Sequence, residues 1–241
     1  MLERGRRTTT FEITEDHLAR LPEPVRRYLR AAGVVGRRNI RTVHLKQMGS
    51  MRRRAGEKWM PFTAEQWFTT DPPGFVWDAR IRLLPLLNFS VTDKFVAGRG
   101  GLEAKLLSVF KVADAKGPEV DQGELLRYLG EMAWFPTAWL SSYLEYESID
   151  DRAVSVTMRQ PGCAASAVVH FDAEGMVDVV SAERYAEEDG KYSLRKWSGR
   201  FSDYRQVNGL LIPTKASVTW HLDSGELEYF RCESGSVEYD G

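Results

Sequence analysis

Apolar and polar residues alternate with a period of two along two long blocks of the chain, and one helical segment separates these blocks. The first strand block covers residues 39–112 and the second covers residues 145–241. Turn signals such as the Asn208-Gly209 pair stand between successive runs. Short alternating runs joined by tight turns are typical of antiparallel neighbours, so we predict about eleven strands in one antiparallel sheet.

The segment between the two blocks, residues 121–144, has helical periodicity. Its apolar side chains recur three and four residues apart and form one stripe, which consists of Leu125, Leu126, Leu129, Met132 and Ala133. Pro136 should end the helix. Such a helix needs a sheet to cover, so we predict a helical lid and an α+β fold in which a single highly curved antiparallel sheet carries helices on its concave face.

Residues 1–12 are charged and polar with few apolar anchors, and we expect a flexible N-terminal arm. Residues 13–35 predict two short helices, because Thr14 can cap the first, Pro22 or Pro24 can begin the second, and Gly33 can end it. At 241 residues the chain is long enough for one large β-rich domain, which we place at residues 13–241.

The composition is that of a globular protein, with 43% hydrophobic and 28% charged residues. The sequence has no apolar run long enough to span a membrane, and its N-terminus does not resemble a secretory signal, so we expect a cytoplasmic protein. Cys163 and Cys232 belong to no metal or redox spacing, and we expect free thiols.

The charge is unevenly distributed, because residues 1–60 carry fifteen Lys and Arg against six Asp and Glu, while the net charge of the chain is -1. A basic half of this kind can bind an anionic surface or can form ion pairs within the fold. No aromatic platform or groove-reading helix accompanies the arginines, so we expect no nucleic-acid partner. Peripheral membrane contact through the basic N-terminal half stays open.

Several segments resemble known families. The segment WSGRFSDYRQVNGLLIP at residues 197–213 is similar to the closing strands of LolA-like lipoprotein carriers. Most of the chain resembles an uncharacterised bacterial family of unknown function. The segments that carry this resemblance are LPEPVRRYL at 21–29, FVWDAR at 75–80, GELLRYLGE at 123–131 and WFPT at 134–137.

The LolA-like resemblance implies an unclosed half-barrel whose hydrophobic concave face is covered by helices. In such families this shape serves carriers of acyl chains and, in some relatives, biosynthetic enzymes that use no cofactor. The resemblance therefore implies a hydrophobic small-molecule partner and no cofactor. It names no activity for this chain.

Local motifs for catalysis or metal binding are missing from the sequence. The four histidines have no helical metal spacing, so no metal site built from a local motif is predicted, and a site assembled from distant residues stays open. No serine lies in a Gly-x-Ser-x-Gly elbow, so hydrolase chemistry has no support. Glu124, Arg127 and Glu131 recur three and four residues apart on the lid, which is typical of a ladder of surface ion pairs. Alternatively, an oblique helix would bring Glu131 and Tyr128 into the cavity, where burial suits a carboxyl group to proton transfer.

Other polar or aromatic residues lie where a cavity lining is expected. Asp93 is in phase with apolar residues of its strand, and with Glu131 and Tyr128 it completes the catalytic candidates. Gln47 is a similar polar residue on an apolar face. The candidate ligand-binding residues are Trp77, Arg80, Arg127, Leu129, Trp134, Arg184 and Trp197.

Three functions remain compatible with the sequence. The first is a binding protein for a hydrophobic or amphipathic small molecule, such as an acyl chain or a lipid-like molecule, held between the curved sheet and the lid. The second is a cofactor-independent enzyme that uses the same cavity for proton transfer on a hydrophobic substrate. The third is an interaction module that uses the basic N-terminal half. Whether the protein is an enzyme stays open.

Overall fold

The computed structural model describes residues 1–84, 87–106, 110–188 and 190–240. Positions 85, 86 and 107–109 of the predicted first strand block, and positions 189 and 241 of the second, lie outside the described residues. The helices are α1 (Leu2–Gly5), α2 (Glu15–Leu18), α3 (Glu23–Ala32) and α4 (Pro118–Glu131), and two 3₁₀ turns follow at Met132–Trp134 and Pro136–Leu140.

The described strands form one antiparallel sheet of thirteen strands. They are β1 (Thr42–Met51), β2 (Met60–Thr70), β3 (Pro73–Leu84), β4 (Leu87–Val96), β5 (Arg99–Leu106), β6 (Phe110–Ala115), β7 (Leu144–Asp150), β8 (Ala153–Gln160), β9 (Cys163–Phe171), β10 (Val177–Glu188), β11 (Lys191–Val207), β12 (Leu210–Leu222) and β13 (Gly225–Asp240). Their order across the sheet is β6-β5-β4-β3-β2-β1-β13-β12-β11-β10-β9-β8-β7. The pairing of β1 with β13 joins the two strand blocks, and the sheet curls into a half-barrel, so the predicted topology is confirmed.

The sheet has two more strands than the eleven or so predicted, and these two strands are its edges, β6 and β7. An edge strand pairs on one side only and buries few side chains, so its sequence alternates weakly. In β7 only Leu144 is fully buried, and most of the strand after it is exposed. This is the physical reason why the prediction assigned residues 144–150 to no separate strand.

Alternation along each strand decides which side chains point into the half-barrel. On β1, Val43, Leu45 and Gln47 are buried, whereas Lys46 and Met48 between and beyond them are exposed. The same period on the other strands produces one continuous apolar core that also includes side chains of α3, α4 and the two 3₁₀ turns.

Helix α4 connects the two edges of the sheet and crosses its concave side, against β4, β5, β9 and β10. Its first turn is fixed to β5, because the Asp121 carboxylate accepts hydrogen bonds from the Gly100 amide at 2.7 Å and from Arg99 at 2.9 Å. Gly100 is needed for this approach, since a Cβ at that position would lie 2.6 Å from the Val120 carbonyl oxygen. The lid therefore occupies the predicted position, although its α-helical part ends at Glu131 and 3₁₀ turns continue past Pro136.

The N-terminal region forms helices in the predicted places, with α3 ending at Gly33 in a left-handed conformation (φ 79°). The arm before them contains α1, and the buried Gly5 packs against the Thr69 side chain. Thr8 donates a hydrogen bond to the Asp71 carbonyl oxygen at 2.5 Å. The predicted flexibility of this arm stays a prediction. No helix in the described ranges is long and apolar enough to cross a membrane.

Candidate functional site

A cavity of about 390 Å³ lies between α4 and the concave side of the sheet. This volume falls in the range of small-molecule pockets. Its wall is mainly apolar and rich in aromatic rings, which come from Trp77 of β3, Trp197 of β11, Trp220 of β12, and Tyr229 and Phe230 of β13. The wall therefore suits a ligand with a substantial apolar part.

Six buried or half-buried polar side chains form a hydrogen-bonded cluster at this cavity, here named the polar cluster. They are Gln66, Asp93, Glu124, Arg127, Glu131 and Arg184. Three of them come from α4 at spacings of three and four residues, which places them along one side of the helix. The other three come from β2, β4 and β10, on inward-facing positions of those strands.

Arg127 is the centre of the polar cluster. Its guanidinium group donates to Asp93 at 2.5 Å and to Glu131 at 3.0 Å, and it lies 4.9 Å from the ring centroids of both Phe75 and Trp77. Burial opposes its charge, but the neighbouring carboxylates outweigh burial and hold the pKa of Arg127 above its ordinary value. Arg127 therefore remains a cation at all ordinary pH values.

Glu131 extends the polar cluster toward β2, where Gln66 donates an amide hydrogen bond to it at 2.7 Å. Burial raises the pKa of Glu131, and the Arg127 and Gln66 contacts partly oppose that rise. The carboxyl group is thus held by two donors in a site that disfavours its charge.

Arg184 provides the second guanidinium group. It donates to Glu124 at 3.3 Å and lies over the Trp197 ring at 5.5 Å. Gly123 leaves room for it, since a Cβ there would lie 3.2 Å from the Arg184 Nε. The glycine before Glu124 thus serves the close approach of α4 to β10.

Asp93 and Glu124 interact, because the charge of Asp93 and a hydrogen bond to it both raise the pKa of Glu124. With both groups ionised, neither Asp93 Oδ1 nor Glu124 Oε2 has a hydrogen-bond donor, although both atoms are buried. Burial, followed by the negative charge of Asp93, raises the pKa of Glu124 well above its ordinary value. A proton on Glu124 satisfies both oxygens, and it also neutralises a cluster in which three carboxyl groups meet two guanidinium groups.

A second layer of hydrogen bonds fixes the aromatic wall. Trp77 donates to Gln47 at 3.0 Å, and Gln47 contacts the Cys232 sulfur at 3.8 Å. Trp197 donates to the Tyr229 hydroxyl at 3.1 Å. Burial raises the pKa of the Cys232 thiol to about 12, so it remains neutral; Cys163 and Cys232 are both free, as the sequence predicts.

Most of the candidate residues line this cavity: Asp93 and Glu131 among the catalytic candidates, and Trp77, Arg127, Trp134, Arg184 and Trp197 among the ligand-binding ones. Three candidates lie elsewhere. The Tyr128 side chain is buried in the core and donates to the Thr69 carbonyl oxygen at 2.9 Å. Leu129 is fully buried in the core, and Arg80 is exposed on the outer face of β3. Ligand binding by the candidate residues, whether they line the cavity or not, stays a prediction.

The interpretation of Glu124, Arg127 and Glu131 as a surface ladder is wrong. Their side chains are only 5%, 15% and 14% exposed. The sheet curls around α4, so the polar side of the helix faces the cavity instead of solvent. The oblique placement is correct for Glu131 but not for Tyr128.

Sequence reasoning missed Gln66 and the pairing of Glu124 with Asp93. Gln66 is fully buried between the inward positions of Ala64 and Phe68. A polar residue in phase with apolar ones, the signal already used for Gln47 and Asp93, would have found it.

The basic N-terminal half uses many of its arginines within the fold. Arg30 pairs with Glu15 at 2.8 Å, Arg41 pairs with Asp240 at 2.8 Å, and Arg52 donates to the Glu228 carbonyl oxygen at 2.7 Å. Ion pairing within the fold therefore accounts for part of the basic surplus.

Comparisons with known proteins include two solved structures and one family model. The chain is 10% identical to a LolA superfamily protein from Nitrosomonas europaea, with a TM-score of 0.43, over 83% of this chain and 87% of that one. A β-barrel-like protein of domain of unknown function DUF1849 from Brucella abortus is 11% identical, with a TM-score of 0.23, over 84% of this chain and 99% of that one. No curated protein matches the sequence. The model of the family of unknown function DUF6544 matches residues 11–232, so the chain belongs to that family.

Proposed function

We propose that the protein binds a hydrophobic or amphipathic small molecule in the cavity between α4 and the curved sheet. The observation that carries the proposal is the cavity itself, an aromatic-walled space of about 390 Å³ with buried polar groups at one place on its wall.

The apolar part of the ligand has a suitable surface. Trp220 and Tyr229 stack with ring centroids 6.1 Å apart, and both line the cavity beside Phe230 and Val218. Each of these four side chains keeps part of its surface exposed, so a ligand would remove apolar area from water. The polar cluster would fix the orientation of the ligand.

Native mass spectrometry of freshly purified protein tests whether a small molecule copurifies, and extraction identifies it. A neutral fluorescent probe, phenylnaphthylamine, tests the site. Gly199 lines the cavity, and its added Cβ would meet only ordinary contacts, the nearest at 3.7 Å from the Trp197 ring. Gly199→Leu should therefore fill the cavity without unfolding the protein.

The expected result is a loss of probe affinity of at least about tenfold in Gly199→Leu. The matched control is Ser202→Leu, which places the same side chain on an exposed position of the same strand and should leave the affinity unchanged. Equal affinities in Gly199→Leu and wild type, with both proteins folded by circular dichroism, would refute binding in this cavity.

A second candidate function is proton-transfer catalysis on the bound molecule. The specific observation that favours it is that two buried carboxyl groups, Asp93 and Glu124, interact at the cavity wall, and that burial and the charge of Asp93 raise the pKa of Glu124. The test is incubation of the extracted molecule with the protein in heavy water. Catalysis predicts deuterium at a carbon atom of the ligand, lost in Asp93→Asn, whereas the absence of any such label in the wild-type reaction contradicts it.

A further inference from the structure

The polar cluster contains three buried acceptors for which the described residues supply no donor when the carboxyls are ionised. One is Gln66 Oε1, which is not part of the cavity lining. The other two are Asp93 Oδ1 and Glu124 Oε2, on side chains that are 8% and 5% exposed. Both residues line the cavity. A ligand that brings a donor to this place would satisfy both oxygens, and an unsatisfied buried acceptor is costly.

The charges around the cavity are mainly negative. Among the described lining residues, Asp93, Glu119, Glu124, Glu131 and Glu187 are acidic, whereas Arg127 and Arg184 are basic. The acidic excess attracts a cationic ligand and repels an anionic one.

Both guanidinium groups already have carboxyl partners within the polar cluster. Arg127 already donates to Asp93 and Glu131, and Arg184 already donates to Glu124. A carboxylate ligand would add a further negative charge to a buried site that already holds three carboxyl groups, which is unfavourable.

We propose that the cavity takes an amphipathic amine, whose ammonium group lies between Asp93 and Glu124 and donates hydrogen bonds to both carboxyl groups. This inference rests on the proposed function and names the ligand class. The apolar part of the amine lies against three rings of the aromatic wall, those of Trp220, Tyr229 and Phe230. Aromatic faces also attract cations, so the wall does not oppose the entry of an ammonium group.

The exchange has a definite proton balance. In the free protein Glu124 faces Asp93 from β4, Arg184 from β10 and Arg127 from its own helix, and burial and the charge of Asp93 raise its pKa, which favours the protonated form. The ammonium group supplies the missing positive charge, so Glu124 ionises and its proton passes to solvent. Binding should therefore release about one proton per ligand and tighten as pH rises while the amine stays charged.

Calorimetry at neutral pH with three ligands of equal chain length tests the proposal: dodecylamine, dodecanol and dodecanoate, each below its micelle concentration. Titrations in phosphate and in Tris, which differ in ionisation enthalpy, give the number of protons released. We expect dodecylamine to bind at least about tenfold more tightly than dodecanoate and to release close to one proton.

The variant Glu124→Gln keeps the shape of the side chain and cannot release a proton. It should bind dodecylamine at least about tenfold more weakly, with proton release near zero. The matched control is Glu183→Gln, a neighbour of Arg184 that is exposed on the outer face of β10, and it should behave as wild type.

Tighter or equal binding of dodecanoate or dodecanol would overturn the amine assignment and leave the proposed function standing. Amine binding without proton release, or with release unchanged in Glu124→Gln, would also overturn it. Failure of all three ligands to bind, together with an empty native protein and no uptake of the neutral probe, would overturn the proposed function as well.

Discussion

Replacement of Arg127 by methionine is the most direct perturbation of the polar cluster. The guanidinium group bridges Asp93 at 2.5 Å and Glu131 at 3.0 Å, and all three side chains are at most 15% exposed. The substitution keeps an unbranched side chain and leaves both carboxylates without their cation. Breaking a buried ion pair by removing one partner costs about 3–5 kcal/mol, so Arg127→Met should lower the free energy of unfolding by about that amount.

Urea unfolding followed by circular dichroism measures this change, and the melting temperature should fall by roughly 6–20 °C for a chain of this size. The loss should shrink at lower pH. Burial already raises the pKa of Glu131, and without Arg127 this carboxyl group binds a proton still more readily in the folded state. Protonation removes the uncompensated charge, so the variant approaches wild type as pH falls.

Two further variants decide whether the charges or the lost packing cause the effect. Arg159→Met removes the arginine of an exposed pair, in which Arg159 and Glu145 are both 61% exposed, and it should be nearly neutral. The triple variant Asp93→Asn, Arg127→Met, Glu131→Gln removes Arg127 together with both carboxylates that it bridges, leaves Glu124 and Arg184 in place, and should recover most of the stability. A single-variant loss below about 1 kcal/mol, or a triple variant as unstable as Arg127→Met, would refute the reasoning.

Three other outcomes follow from the structure. Trp134→Ala should lower the free energy of unfolding by about 3–5 kcal/mol in urea titrations, because Trp134 is 2% exposed and donates to the Pro213 carbonyl oxygen at 3.0 Å; a loss under about 1 kcal/mol would contradict it. Burial raises the pKa of Glu124 in the folded state, so the free energy of unfolding should fall as pH rises above 4.5, the ordinary pKa of a glutamate. Thermal melts at a series of pH values should show a flatter dependence of stability on pH in Glu124→Gln, and an unchanged dependence would contradict the role of Glu124. Iodoacetamide should label the half-exposed Cys163 before the buried Cys232, as read by mass spectrometry, and equal rates would contradict this order.

The strand pattern could be predicted because alternation is local. Each interior strand buries one face, so its own residues show the period, and two such blocks predict one shared sheet. The pairing of β1 with β13, which joins the blocks, was not predicted. The edge strands β6 and β7 gave a weak pattern because each has one neighbour.

The polar cluster could be predicted only in part. Polar residues in phase with apolar ones, Asp93 and Gln47, indicated a buried polar site. The partners within the polar cluster could not be derived from the sequence. The bond between Asp93 and Arg127 joins residues 34 positions apart, and the bond between Arg184 and Glu124 joins residues 60 positions apart. The orientation of α4 was decided by the curl of the sheet, which brings apolar surface to one side of the helix and polar groups to the other.

The polar cluster is a poor source of stability, because a buried ion pair seldom stabilises a folded protein more than apolar side chains of equal volume would. Two benefits can offset that cost. The cluster joins Asp93 of the first strand block to Arg184 of the second through α4, so it can fix the register of the helix between the two sheet edges. It also presents Asp93 and Glu124 to the cavity, which register alone does not require. The triple variant separates these benefits: a folded protein with sharp amide resonances that has lost ligand binding indicates a binding site, whereas broadened resonances of α4 indicate that the charges specify the position of the helix.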